Sequence, residues 1–173
     1  MNASSSLEGV NALATNTAMS VWGLAGDFAI VLVLVAVFFI FAWYVGRGPF
    51  VATLFALYAA YATYIVFPYM SYLPSAPASS SVLAHIGLYA ALTLIFYIIL
   101  RRVVVSDFLY IAVLGLFVLA LLAAGFVIAL AYHTFEVTSI YQFTPAIDAL
   151  FAPKEYFFWW FAGPAIGLFF LAR

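Results

Sequence analysis

The chain has no cysteine and very little charge: of its 173 residues, five are Lys or Arg and six are Asp or Glu, 6% of the total. The missing cysteine excludes disulfides, thiolate nucleophiles, iron–sulfur clusters and Cys-ligated zinc. The missing charge excludes an ordinary soluble domain, because so few ionic groups cannot build a polar shell around 173 residues. A formal net charge of −1 also argues against electrostatic binding of nucleic acid, which needs clustered Lys and Arg. There is no P-loop, no HExxH and no Ser/His/Asp set, so no enzymatic activity is expected. No Lys or Arg precedes the first apolar run, and no cleaved signal peptide is expected.

What is present is apolar: 69% of residues are hydrophobic and 20% aromatic. Four stretches, 28–46, 48–100, 108–135 and 156–172, contain no charged residue at all. A charge at the bilayer centre costs about 2.5–3.5 kcal/mol on insertion scales, so runs of this kind read as membrane spans. Pro68, Pro74, Pro77 and a Ser cluster divide the second run in two. Crossing ~30 Å of hydrocarbon takes about 20 helical residues. The sequence therefore predicts an all-α, polytopic transmembrane bundle with four core spans, at 28–45, 50–67, 82–100 and 108–132. A fifth, short span at 156–172, kinked or re-entrant at Gly163-Pro164, completes it.

Four parts follow from these spans. Residues 1–26 form an outer polar tail or an interfacial amphipathic helix, with Ser5-x-x-Glu8 at capping-box spacing. Residues 27–132 are the membrane core, 133–155 an outer loop and 156–173 the terminal span. Arg47, Arg101, Arg102 and Arg173 fall on one side, which the positive-inside rule makes cytoplasmic; Lys154 alone dissents. The expectation is a bacterial inner-membrane protein with its N-terminus outside and its C-terminus inside. Ser106 or Asp107 is the candidate N-cap of the fourth span.

Small residues mark helix packing: Ala52, Ala56 and Ala60 on the second span, Gly115 and Gly125 on the fourth, Gly163 and Gly167 on the fifth. Packing within one bundle is the simpler use of these residues, self-association the other. Tyr58, Tyr61 and Tyr64 recur every three residues and are expected to bond Thr53, Thr63, Thr93 or backbone carbonyls. His85, His133, Glu136 and Asp27 lie at similar outer depth, and His85, His133 and Glu136 raise a metal or haem site as an alternative. Both histidines sit at the water boundary, where they need no ligand, and no cofactor is expected. No ionisable group lies in mid-span, which argues against a transporter or channel acting alone.

Gly26-Asp27-Phe28, the turn Gly46-Arg47-Gly48-Pro49-Phe50, Leu54-Phe55-Ala56-Leu57, and Ser106-Asp107 with Gly115 eight residues on follow one another in order. With Ser139-Ile140, Phe143-Thr144-Pro145 and Leu150-Phe151 after them, this arrangement resembles the colicin V production (CvpA) family of bacterial inner-membrane proteins. The chain departs from that pattern at Phe108 and Ile111, where the family has Arg and Gly, and in its fifth apolar segment. The resemblance implies an accessory or scaffold in secretion or envelope maintenance. Its interaction and topology residues would be Asp27, Arg47, Gly48, Arg101, Arg102, Asp107 and Gly115. Its partners would be the lipid bilayer and other membrane proteins or a second copy. Alternatives are an accessory subunit of a transporter or channel, and a haem- or metal-binding electron-transfer subunit. Arg47-Gly48 is the expected hinge of the first hairpin, with Gly48 the candidate for a positive φ.

Overall fold

The computed structural model describes residues 3–103 and 111–171, with side chains from Gly23 onward except Leu24. Ser106, Asp107, Phe108 and Arg173 lie outside the described residues. Six α-helices account for most of the chain: α1 (Ala3–Tyr44), α2 (Arg47–Ile65), α3 (Ala78–Val103), α4 (Val113–His133), α5 (Pro145–Phe151) and α6 (Lys154–Leu171). Among the described residues there is no strand. Among the described residues, four helices are long and apolar enough to cross a membrane: the Ala25–Tyr44 part of α1, α2, α3 and α4. α6 falls outside that set. Lys154 and Glu155 occupy its first turn and Gly163-Pro164 its middle, although the helix continues through Pro164 without interruption.

Helix ends follow the local chemistry. α1 meets no proline and runs from Ala3 straight through the 26/27 position, so the polar segment and the first span share one helix. It ends at Tyr44, and the chain reverses at Gly46, whose φ of 108° and ψ of 166° suit glycine alone. The positive φ is thus at Gly46 rather than Gly48, which lies buried in the first turn of α2. The reason is positional: the chain must reverse before Arg47 so that Pro49 can sit in the first turn, where its missing N–H costs nothing. α3 begins four residues before the predicted span, because Pro77 accepts from the Ser80 and Ser81 amides and the Ser80 hydroxyl. The serines therefore form the first helical turn instead of loop. Arg101 and Arg102 close α3, where cations complement the helix dipole.

α4 is the central helix, packed along α1 on one side and α6 on another. α3 packs along α2. One buried cluster joins Val35 and Ala42 of α1, Phe50, Val51 and Leu54 of α2, and Leu116, Leu119 and Ala120 of α4. Ala52, Ala56 and Ala60 are fully buried on α2. α6 is antiparallel to α4. A β-carbon on Gly125 would lie 2.4 Å from the Trp160 ring, one on Gly167 2.6 Å from Leu122, and one on Gly115 3.6 Å from Leu171. The glycines of both helices thus pack α4 against α6 within this chain. Trp160 is held in that contact, while its neighbour Trp159 stays exposed.

The hairpins put the described arginines at one end. Arg47 begins α2, and α3 returns antiparallel to it, with Tyr64 bonded to His85 and Tyr89 bonded to Leu57. Tyr97 reaches Phe41 near the start of α2, so Arg101 and Arg102 share the Arg47 end. Asp27, Glu136 and Asp148 occupy the other end, where α4 finishes.

Candidate functional site

The segment after α4 organises the end that bears Asp27, Glu136 and Asp148. This segment folds back over the bundle through a one-turn helix (Val137–Ser139) and α5. Its first anchor is Asp27, which is 2% exposed on α1. The Tyr141 hydroxyl donates to Asp27 Oδ1 at 2.8 Å, and the Thr144 amide donates to Oδ2. A buried carboxylate demands such donors, since an unmade bond to it would cost more than the bond gains. Donation to Asp27, with burial adding to it, holds the Tyr141 phenol above its ordinary range, because the neutral form is the donor. Gly23 lets this segment come close: a β-carbon there would lie 3.3 Å from the Thr144 methyl.

A second anchor repeats the chemistry. The Tyr132 hydroxyl of α4 donates to Asp148 Oδ1 of α5 at 2.7 Å, and the Tyr132 and Phe143 rings lie 5.0 Å apart. His133 shares a 2.8 Å hydrogen bond between Nε2 and the Phe151 carbonyl. Trp160 of α6 donates to the Leu150 carbonyl at 3.0 Å. Together with the Asp27 anchor, these contacts fix the segment on α1, α4 and α6.

The sequence placed His85, His133, Glu136 and Asp27 at one level, but the structure distributes them. His133 faces Phe157 and the Phe151 carbonyl. Asp27 is enclosed by Tyr141 and Thr144. His85 and Glu136 share a separate cleft of about 380 Å³ with Ser75, Ser81, Thr134 and Ser139. Among the described residues, no three His, Asp or Glu gather closely enough to hold a metal ion. His85 Nδ1 lies 2.8 Å from the hydroxyl of buried Tyr64. That tyrosine also meets the Tyr89 and Phe135 rings edge-on, which positions Phe135 directly before Glu136. Glu136 itself has left-handed backbone, φ 50° and ψ 42°, at the exit of α4.

The tyrosine ladder finds one of its expected partners, a backbone carbonyl, but none of the threonines. Tyr58 donates to the Phe161 carbonyl of α6 and Tyr64 pairs with His85. Thr53, Thr63 and Thr93 each bond the carbonyl four residues back in their own helix. That carbonyl is within reach of any helical threonine, so it outcompetes a distant phenol. The Tyr141 and Tyr132 pairings and the Gly23 contact were not foreseen. Only the acidic residues themselves signalled them, because a lone carboxylate beside a span must find donors somewhere.

Over the described residues the fold is all-helical, with four membrane-length helices. No family model, no curated protein and no solved structure matches it.

Proposed function

We propose that this chain is a five-span, non-enzymatic inner-membrane protein that serves as an accessory or scaffold in secretion or envelope maintenance. The observation that carries the reading is the use made of its ionisable groups at the outer end. Asp27, Asp148 and His133 are each engaged in hydrogen bonds that hold the segment after α4 onto the helices. Groups committed to holding a surface in shape suit a protein that presents that surface to a partner. The resemblance to the colicin V production family supplies the class of process, and its Arg-Gly turn falls at the reversal between α1 and α2.

Orientation follows from charge. With Arg47, Arg101 and Arg102 gathered at one end, the positive-inside rule favours that end in the cytoplasm and the N-terminal side outside. The fifth span draws support from α6, whose Leu171 reaches the level of Gly115 near the start of α4. At 1.5 Å per residue, its 18 residues extend about 27 Å, close to the hydrocarbon thickness.

Cysteine labelling in this cysteine-free chain tests the arrangement. Ser75→Cys should react with an impermeant maleimide in intact cells, Ser106→Cys should not, and a C-terminal tag should be protected from external protease. Equal labelling at both cysteines refutes the orientation, and an accessible tag refutes the fifth crossing. Purification of the full chain in mild detergent should retain a stoichiometric membrane-protein partner. Recovery of the chain alone from cells at native expression refutes the scaffold reading.

A further inference from the structure

The cleft containing His85 and Glu136 takes no part in anchoring the segment after α4. Its volume of about 380 Å³ is many times one water's share of liquid, ~30 Å³. It falls at the lower end of small-ligand pockets, roughly 300–1,000 Å³. Its walls come from three separate parts of the chain: Ser75 before α3, the first turns of α3, and the exit of α4. Glu136 is the only formally charged residue among them, beside the hydroxyls of Ser75, Ser81, Thr134 and Ser139. Val82 and Phe135, each 8% exposed, form an apolar floor.

We propose that this cleft binds a small ammonium-bearing group, with the Glu136 carboxylate as its counter-ion. An anion would meet an uncompensated carboxylate here, since no Lys or Arg lines the cleft. A protonated amine instead finds a carboxylate, several hydroxyl oxygens and an aromatic ring, each of which accepts or attracts a cation. The backbone that carries Glu136 is held in place. Phe135 is fixed among Tyr64 and Tyr89, and the Ser139 amide donates to the Glu136 carbonyl at 2.9 Å. His85 adds a polar partner from the opposite wall. In the tautomer whose Nδ1 accepts from the buried Tyr64 hydroxyl, Nε2 carries the ring proton and can donate to an oxygen on the same ligand. The matching class is a small molecule or headgroup that carries both an ammonium and an oxygen acceptor. A free amino alcohol and the ethanolamine headgroup of a phospholipid share this chemistry.

The test uses full-length protein in nanodiscs, with ethanolamine titrated calorimetrically into phosphatidylglycerol discs. In parallel, melting temperature is compared between phosphatidylglycerol and phosphatidylethanolamine discs. Glu136→Gln removes the charge at an exposed position, and Glu155→Gln removes one at an exposed position away from the cleft. If the ligand is a free solute, ethanolamine saturates the parent and Glu155→Gln, and Glu136→Gln binds at least tenfold more weakly. If it is a headgroup, stabilisation by phosphatidylethanolamine is present in the parent and Glu155→Gln and lost in Glu136→Gln. The proposal is overturned if neither probe separates the parent from Glu136→Gln, or if Glu155→Gln loses as much.

Discussion

Adding one methyl group to Gly125 should destabilise this protein, whereas adding the same group to Gly87 should not. A β-carbon on Gly125 would lie 2.4 Å from two carbons of the Trp160 ring, against an optimum of ~3.5–4.0 Å. The ring must therefore withdraw by about an ångström. It is not free to do so, because Nε1 donates to Leu150 at 3.0 Å and its face stacks on Phe151 at 4.8 Å. Overpacking of this kind costs about 1–3 kcal/mol, and loss of the indole hydrogen bond adds about 0.5–1.5 kcal/mol. The better helix propensity of alanine returns about 0.5–1 kcal/mol. Steric cost wins, leaving a net destabilisation of about 0.5–4 kcal/mol. For a chain of this size, the midpoint should fall on the order of 5–10 °C. Gly87 is exposed and nothing lies within 4 Å of its β-carbon position, so only the propensity gain remains. Tryptophan fluorescence followed through thermal unfolding in detergent measures both. Trp160→Phe in the Gly125→Ala background should recover part of the loss, so the double variant is less destabilised than the sum of the singles. A Gly125→Ala protein that melts at or above Gly87→Ala would refute the α4–α6 contact.

Asp27→Ala should loosen the segment after α4, since it leaves the Tyr141 hydroxyl and Thr144 amide without their acceptor, a cost of about 1–3 kcal/mol. Hydrogen exchange confined to 134–152 should rise in that variant, and unchanged protection there would show that Asp27 is not the anchor. Gly46→Ala should cost about 1–3 kcal/mol, because φ 108° with ψ 166° is accessible to glycine alone. A melting temperature equal to the parent's would contradict the turn geometry.

Some features could be read from the sequence because they depend on local chemistry. Charge-free length gave the four membrane-length helices, and proline and glycine gave the approximate ends of α2 and α3. The spacing of Gly163 and Gly167 signalled a packed face, now seen against Leu122. The hinge was mislocated by two residues because Gly46 and Gly48 are equivalent in composition, and only the demands of Pro49 separate them. The candidate site was harder still. Depth along a helix placed His85, His133, Glu136 and Asp27 at one level, but depth says nothing of direction around the axis.

That loss of direction has a physical origin. In a soluble protein the side of a helix facing the core is apolar and the other is polar, so the pattern reveals which way it faces. A helix surrounded by hydrocarbon is apolar on both sides. On α4, Leu114 is 75% exposed and Leu119 is fully buried, yet the two are the same residue. Phe28 and Leu32 of α1 are exposed, and Phe126 of α4 is buried, with no sign in composition to tell them apart. Two kinds of residue escape this ambiguity. Small residues point toward close neighbours, as Gly125 and Gly167 do toward Trp160 and Leu122. Polar residues near the ends must find partners, as Asp27 finds Tyr141 and Thr144 and His85 finds Tyr64. Glu136 differs from these anchors because it is an exposed residue on the wall of a cleft. That contrast with Asp27 is the physical ground for assigning one acidic residue to architecture and the other to recognition.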